Sequence, residues 1–254
     1  MASLTRIRRQ WEALGREDPL WGVLSDPSKR GNRWDPEEFF RTGPAQIASI
    51  LAVVERAGIK LRRGSALDFG CGVGRLTQAL AEPFHEVHGV DVAESMIAEA
   101  RRHNRRGERC SYHLSTTSRL PFDAGRFDFV LSLITLQHMP AGPASRYISE
   151  FVRVLAPGGV ACFQIPSTPV EPAAEGGAWA RVRRLLRRAA PGPVRAMVRG
   201  ASLSLSRRRA FEMHGIPRAR VEALLARGGA RTVVVVPDAS AGAGWTSFLY
   251  VAAR

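Results

Sequence analysis

The sequence has few of the features that mark a secreted, metal-binding or membrane-spanning protein. Its three cysteines lie far apart and form no C-x-x-C pair, which argues against a disulfide framework and a zinc site. No run approaches the roughly 20 apolar residues that a membrane span needs, and the first residues contain no apolar core of a secretory signal. We therefore expect a cytoplasmic protein with reduced thiols, no metal and no membrane span.

Lysine is also scarce, because Lys29 and Lys60 are the only two among the 37 basic residues. The remaining 35 (37 − 2) are arginines, and the formal net charge is +14. A bias in genome composition would produce the same excess of arginine, so the charge is weak evidence for a nucleic-acid partner. The 254 residues, of which 45% are hydrophobic, suffice for one α/β domain with an added segment.

The chain is organised around the stretch at 65–77, which reads S-A-L-D-F-G-C-G-V-G-R-L-T. Its apolar beginning predicts a buried parallel strand, and its end predicts a helix. Gly70, Gly72 and Gly74 lie between them, where the chain must turn sharply and pass close to a ligand. The next predicted strand ends in Asp91, a position from which an acid can bind both hydroxyls of a ribose. This order of elements predicts a nucleotide-type site.

The glycine spacing does not complete the dinucleotide fingerprint G-x-G-x-x-G. A fingerprint begun at Gly70 would end on Arg75, and one begun at Gly72 would end on Thr77. Asp68 precedes the glycines instead, and a carboxylate there would repel a pyrophosphate but suit a cationic or amine-bearing ligand. The pattern D-x-G-x-G-x-G resembles motif I of the class I S-adenosylmethionine-dependent methyltransferases, whose ligand carries a sulfonium and an ammonium and no phosphate.

Two further stretches resemble the same family. L-P-F at 120–122 and F-D-F-V at 127–130 match the stretch usually written D-A-x-x-L-P-F-x-x-x-x-F-D-x-V, and R-V-L-A-P-G-G-V at 153–160 matches a turn of the scaffold. The acid that normally meets the adenine amine falls on Thr116 here. A threonine hydroxyl can accept a hydrogen bond but brings no charge to it.

A histidine follows the fourth predicted strand. The family often has V-L-H-H-x-P there, and this chain reads T-L-Q-H-M-P at 135–140. Gln137 therefore replaces the first histidine, and His138 retains the second. A histidine near neutral pH can take a proton from a hydroxyl or an amine, so His138 is the candidate base. Support of the loop is the alternative role for this side chain.

The resemblance implies an α/β fold, namely a three-layer, doubly wound, mostly parallel sheet of seven strands with an antiparallel last strand. The end of the chain agrees, because two strands predicted at 233–236 and 247–252 follow each other without a helix. We expect three parts in the chain: an N-terminal helical arm at 1–42, a cofactor-binding core at 43–166 and 211–254, and an inserted basic helical lid at 167–210.

The expected lid carries ten arginines and two glutamates, a net charge of +8 (10 − 2). An apolar stripe with arginines on the other face predicts a basic amphipathic helix. Three interpretations stay open: a lid packed on the core, a surface for an anionic substrate or a membrane, and a nucleic-acid site. The nucleic-acid interpretation is the weakest, because Trp179 is the only aromatic residue in the segment and base stacking requires aromatic side chains.

The resemblance also implies roles for individual residues. Asp68 and the glycine turn would hold the methionine part of the ligand, Asp91 the ribose, and Val92 with Met96 the adenine. The expected cofactor-binding residues are Asp68, Gly70, Cys71, Gly72, Gly74, Asp91, Val92, Met96, Thr116, Thr117 and Leu133. The expected substrate residues are Trp34, Gln137 and His214.

The predicted function is transfer of a methyl group from S-adenosyl-L-methionine to an oxygen or nitrogen atom of a small molecule. Trp11, Trp21 and Trp34 in the arm suit an apolar or aromatic acceptor. An RNA methyltransferase and a cofactor-binding protein without transfer activity are the alternatives, and an NAD-dependent oxidoreductase is a weaker third. We expect a small-molecule partner in preference to nucleic acid.

Overall fold

The computed structural model describes residues 2–170 and 212–254. Most of the expected lid at 167–210 therefore lies outside the described residues. The three-part division of the chain stays a prediction, although one helix continues through the expected boundary at residue 42.

The described residues form one seven-stranded sheet with the strand order β3-β2-β1-β4-β5-β7-β6. Strand β7 runs antiparallel to both of its neighbours, whereas the other pairs are parallel. The seven strands and the antiparallel last strand predicted from the sequence are thus confirmed. The strands are β1 (Ser65–Phe69), β2 (Glu86–Asp91), β3 (Cys110–Leu114), β4 (Phe127–Ser132), β5 (Leu155–Pro169), β6 (Arg231–Pro237) and β7 (Trp245–Ala253).

Helices cover both faces of this sheet. Those that the structure describes are α1 (Ala2–Glu17), α2 (Pro19–Val23), α3 (Pro36–Arg56), α4 (Arg75–Leu80), α5 (Glu94–Arg102), α6 (Ala141–Val154) and α7 (Arg218–Arg227). Short 3-10 helices lie at Pro27–Lys29, Gly107–Arg109 and Leu136–His138. None of the helices in the described residues combines the length and apolar character that a bilayer crossing needs.

The core is divided by the sheet into two apolar layers. Successive residues of a strand point to opposite faces, so Phe163 on β5 and Tyr250 on β7 stack in one layer, while Cys162 and Val251 pack in the other. All five residues of β1 are buried, as expected for a central parallel strand that is covered on both faces. The topology brings the carboxyl ends of β1, β2 and β4 to one edge, which we call the carboxyl edge.

The direction of β7 follows from the short connection before it. A parallel neighbour requires a crossover of a dozen or more residues, and only the loop at 238–244 separates β6 from β7. Strand β5 is longer than the predicted 160–165, because it pairs with β7 from Val160 to Pro169.

Helix α3 is longer than its apolar spacing at 43–57 predicts. Asp35 followed by Pro36 predicts the start of a helix. The structure confirms this start, since the Asp35 carboxylate accepts a hydrogen bond from the Glu38 N–H at 2.8 Å. Gly43 allows α3 to lie close to α4, since a Cβ atom there would stand 2.9 Å from the Arg75 carbonyl oxygen. This close approach positions the first residue of α4.

Candidate active site

A cavity of about 760 Å³ lies at the carboxyl edge. Its floor is built from the ends of β1, β2 and β4, where a doubly wound sheet binds its ligands. The structure brings together nine of the residues predicted from the sequence. These cavity-lining residues are Asp68, Gly70, Cys71, Gly72, Asp91, Val92, Met96, Leu133 and His138.

The glycine turn has left-handed backbone angles at all three glycines. The φ angles are 78° at Gly70, 53° at Gly72 and 81° at Gly74. Each glycine also lies against a side chain. A Cβ atom added at Gly70 would be 2.2 Å from Thr135 Oγ1, and one added at Gly72 would be 2.5 Å from Val23 Cγ2. At Gly74 the neighbour is Tyr112, and this glycine does not line the cavity. The turn therefore needs glycine for packing as well as for conformation.

Replacing Gly70 by Ala is expected to destabilise the protein by about 2 kcal/mol more than replacing Gly125 by Ala. Gly125 has a similar φ of 74° but nothing within 4 Å of its virtual Cβ atom, so it is the matched control. Both variants are strained by the left-handed conformation, and only the first meets Thr135. Urea unfolding measures the difference, and equal losses would contradict the packing argument.

Asp91 links the second strand to the glycine turn. Its Oδ2 accepts a hydrogen bond from the Gly72 N–H at 3.0 Å, and its Oδ1 accepts one from the Ala93 N–H at 2.9 Å. Burial raises the pKa of this carboxyl group. Each oxygen has a second lone pair, so the carboxylate can still accept hydrogen bonds from the two hydroxyls of a ribose.

Asp68 is a buried carboxyl group at the end of β1. Its Oδ2 accepts a hydrogen bond from Thr77 Oγ1 at 2.7 Å, and only 3% of the residue is exposed. Burial raises the pKa of Asp68 to about 6, although the hydrogen bond from Thr77 acts in the opposite direction. A bound cation would favour the ionised form. Asp68 can therefore serve as a counter-ion for a positively charged ligand.

His138 lines the cavity beside the arm. Its ring is 5.3 Å from the Trp11 ring, centroid to centroid, in an edge-on arrangement. Burial, with a smaller contribution from His214, lowers the pKa of His138 to about 4. The imidazole is therefore neutral at pH 7 and can accept a proton.

One face of α1, together with the residue that follows the helix, lines the cavity, and we call this surface the roof. Its residues recur at helical spacing: Leu4, Ile7, Trp11 and Leu14 belong to α1, and Asp18 follows its last residue. Glu12 fixes the helix on α5, since its carboxylate accepts a hydrogen bond from the Ser95 N–H at 3.2 Å. The roof is apolar near His138 and acidic at Asp18. Ile7, Trp11 and, on α2, Trp21 also line the cavity. The sequence indicates the two tryptophans only as residues that suit an apolar acceptor, and it does not indicate Ile7.

A buried amide holds the loop after β4 in an unusual conformation. Ile134 has a φ of 56°, which is rare and strained for a β-branched residue. Its N–H donates a hydrogen bond to Gln164 Oε1 at 3.1 Å. Gln164 is fully buried, and its Nε2 donates to Gln137 Oε1 at 3.1 Å and to Ser247 Oγ at 2.7 Å. This network sets the backbone that carries His138, and no pattern in the sequence indicates it.

The structure does not place five predicted residues, besides Gly74, in the cavity wall. Thr116 and Thr117 are exposed because the chain turns outward after β3, and Ser115 is the buried residue that lines the cavity instead. Trp34 packs against Phe39, and its Nε1 donates to the Leu24 carbonyl at 2.9 Å.

The other two expected substrate residues lie behind the loop that carries His138. The side chain of Gln137 is buried in the network of Gln164. The His214 N–H donates to the Gln137 carbonyl at 2.8 Å, so His214 supports the loop from outside. Substrate contact by either residue stays a prediction.

Comparison with known proteins agrees with this geometry. A family profile described as a methyltransferase domain matches residues 66–159, which include the glycine turn, Asp91 and His138. Residues 66–159 therefore match a methyltransferase domain, and this range includes the glycine turn that resembles the S-adenosylmethionine-dependent family.

Two curated relatives of the methyltransferase domain are ubiquinone biosynthesis O-methyltransferases. The protein from Methylococcus capsulatus is 33% identical over 136 residues, which is 51% of this chain and 54% of the relative. The protein from Pseudomonas aeruginosa is 36% identical over 131 residues, which is 50% of this chain and 54% of the relative. The chain thus spans about half the length of the curated relatives it matches.

The likeness to one solved structure extends beyond residues 66–159 to nearly the whole chain. The magnesium protoporphyrin IX methyltransferase of Synechocystis PCC 6803, crystallised with bound SAH, aligns over 99% of both chains with a TM-score of 0.63. At 19% sequence identity, this likeness concerns the fold alone.

Proposed function

We propose that this chain transfers a methyl group from S-adenosyl-L-methionine to an oxygen or nitrogen atom of a small molecule. The observation that carries the proposal is that one cavity contains two kinds of surface. The acids and the glycine turn line it, and so do His138 and the apolar residues of the roof. A donor and an apolar acceptor can therefore meet inside one cavity.

The residues at the carboxyl edge suit the donor. Asp91 can bind the ribose hydroxyls, and Val92 with Met96 offers apolar surface for the adenine. Asp68 supplies negative charge for the ammonium group. The absence of any completed G-x-G-x-x-G fingerprint favours this ligand over NAD.

When bound, the donor supplies an activated methyl group on its sulfonium. The protein gains most by aligning the acceptor and excluding water, and the roof, whose Trp11 lies beside His138, can serve both purposes. An acceptor hydroxyl or amine must lose a proton as its O–CH₃ or N–CH₃ bond forms. His138, neutral at pH 7, is the group that can accept this proton.

The acceptor is proposed to be apolar or aromatic. Ile7, Trp11 and Met139 line the cavity together with His138, and such surfaces bind flat apolar compounds well. The names of the curated relatives favour an oxygen atom as the methyl acceptor.

An assay with methyl-labelled donor tests this function. Phenols, aromatic amines, aliphatic carboxylates and bulk tRNA are offered in parallel. We expect label in a phenol or aromatic amine and none in tRNA. Label in tRNA alone, together with binding that weakens steeply with salt, would replace the proposal by the RNA methyltransferase alternative. Donor binding with no transfer to any compound would favour a binding protein.

Replacing His138 by Ala is expected to lower kcat by about tenfold to 100-fold with an unchanged Kd for S-adenosylhomocysteine. Because the pKa of His138 is about 4, its protonation should not reduce kcat between pH 8 and pH 6. His113, a half-buried histidine outside the cavity, is the control for replacement by Ala. Equal kcat values for the wild type and the His138 variant would show that His138 does not act as the base.

A further inference from the structure

The side-chain amide of Gln164 has an orientation that the backbone determines. Its Oε1 accepts a hydrogen bond from the Ile134 N–H at 3.1 Å. A backbone N–H can only donate, so the oxygen of this amide, and not its nitrogen, must face Ile134. The Nε2 atom then points away from Ile134 and donates to Gln137 Oε1 at 3.1 Å and to Ser247 Oγ at 2.7 Å. The backbone thus determines which atom of Gln164 meets Gln137.

The same reasoning orients the side-chain amide of Gln137. An amide nitrogen has no lone pair to offer, so the atom of Gln137 that accepts the hydrogen bond from Gln164 must be its oxygen. The Nε2 atom of Gln137 consequently lies on the other side, 3.4 Å from Nε2 of the His138 ring. Both glutamines are buried, which limits the access of water to their amides. We call these two side chains the amide pair.

The amide pair determines which nitrogen of His138 carries a lone pair. Because the Gln137 amide nitrogen can only donate, a proton on Nε2 of His138 would bring two N–H groups face to face. In a neutral imidazole one ring nitrogen carries the proton and the other carries the lone pair. The arrangement therefore favours the tautomer of His138 that has its proton on Nδ1 and its lone pair on Nε2.

We propose that Gln164 and Gln137 are positioning residues that select this tautomer and thereby assign Nε2 of His138 as the nitrogen that accepts a proton. The tautomer itself is independent of the proposed function, whereas the use of Nε2 as a base rests on it. As the O–CH₃ or N–CH₃ bond forms, the proton of the acceptor hydroxyl or amine goes to Nε2, and Nδ1 keeps its own proton. The contact from Gln137 is long for a hydrogen bond, so an acceptor hydroxyl can replace it.

The same contact opposes a lasting charge on the ring. An imidazolium carries an N–H at both nitrogens, and one of them would face the Gln137 amide. Burial of the ring and the nearby His214, the titratable group that acts on His138 in the described residues, oppose protonation as well. A proton taken from the acceptor is therefore readily released to water, and His138 returns to the neutral tautomer.

Nitrogen-15 NMR of the unliganded protein measures the tautomer directly, because protonated and unprotonated ring nitrogens differ widely in chemical shift. At pH 7 we expect Nδ1 of His138 to be protonated and Nε2 to be unprotonated in the wild type. The signals of His138 are assigned by their loss in the His138→Ala variant. A wild type with the proton on Nε2 would overturn the proposal, and so would an equal mixture of the two tautomers.

Replacing Gln137 by Glu changes the atom that faces the ring and keeps an acceptor for Gln164. One carboxylate oxygen can accept the hydrogen bond from Gln164 Nε2, while the other faces Nε2 of His138. A carboxylate only accepts, so we expect a proton on Nε2 and a pKa of His138 raised by about two to three units. With an acceptor in hand, kcat of this variant should fall about fivefold from pH 8 to pH 6, where kcat of the wild type is constant.

Gln137→Met serves as a second variant if the Glu variant folds poorly, because it keeps the length of the side chain and removes the amide. It should leave a mixture of the two tautomers and lower kcat by less than about fivefold. Ser247→Ala is the control, since it leaves the amide pair in place and should retain the wild-type tautomer. The wild-type tautomer in both Gln137 variants would overturn the proposal. The expected tautomers in a protein that methylates no acceptor would support the selection by the amide pair and refute the proposed function.

Discussion

Replacing Asp68 by Asn is expected to weaken binding of S-adenosylhomocysteine about 100-fold at pH 8 while it stabilises the unliganded protein. The affinity falls because an ammonium group loses its counter-ion in a buried site. The stability rises because an ionised carboxylate is costly to bury, and the amide can still accept the hydrogen bond from Thr77. Calorimetry and urea unfolding measure the two effects.

The gain in stability has a defined pH dependence. The pKa of Asp68 is raised from 3.8 to about 6 in the folded protein, so the folded state binds more protons between these values. The wild type therefore becomes more stable relative to the Asn variant as the pH falls from 7 towards 4. The difference should reach about 3 kcal/mol at pH 8 and vanish near pH 4.

The Thr77→Val variant is the control for this prediction, because it removes the hydrogen bond to Asp68 and keeps the carboxyl group itself. The Val variant should lower the stability of the protein at pH 8, whereas the Asn variant should raise it. Unchanged ligand affinity in Asp68→Asn would contradict the role of the carboxylate. A destabilised Asn variant at pH 8 would contradict its raised pKa.

Replacing Gln164 by Leu is expected to lower kcat by tenfold to 100-fold and to leave donor affinity within threefold of wild type. The substitution removes the hydrogen bond that holds Ile134 at a φ of 56°. The loop then relaxes, and His138 moves away from the acceptor; a displacement of about 1 Å can cost 100-fold in rate.

A double-mutant cycle separates this effect from general destabilisation. Glycine adopts a positive φ without strain, so Gln164→Leu should cost less than fivefold in kcat when it is introduced beside Ile134→Gly. Ser247→Ala is the control, since it removes another partner of Gln164 but leaves the bond to Ile134. Equal losses in both backgrounds would show that Gln164 does not act through Ile134.

The local parts of the fold could be predicted from the sequence. Apolar spacing and flanking turn residues predict a strand at 110–114 and a helix at 218–227, and the structure has Cys110–Leu114 and Arg218–Arg227 as these elements. Asp68 and Asp91 could be selected for a different reason. Asp91 is the last residue of β2 and Asp68 the penultimate residue of β1, so their shared edge follows from parallel topology.

The contacts made by the arm could not be predicted in this way. Three tryptophans recur in a short segment, and spacing alone does not say which of them faces the cavity. The answer depends on how α1 lies across the carboxyl edge, which Gly15 and Ser95 determine by close packing. Trp11 therefore lines the cavity, whereas Trp34 packs against the arm.

Hydrogen bonds between residues far apart in the chain could not be predicted from the sequence either. Gln164 and Ile134 are thirty residues apart in the chain, and Thr42 lies 33 residues from Arg75. Neither pair leaves a periodic pattern, because a hydrogen bond between two elements depends on their packing and not on local spacing.

The most direct test of the central claim is a calorimetric comparison of S-adenosylhomocysteine and NAD with the wild-type protein. The central claim is that Asp68, the glycine turn and Asp91 recognise a zwitterionic nucleoside thioether. We predict binding of S-adenosylhomocysteine at one site with a Kd in the micromolar range or below, and no heat of binding for NAD at millimolar concentration. Saturable binding of NAD, or no binding of S-adenosylhomocysteine, would contradict the account.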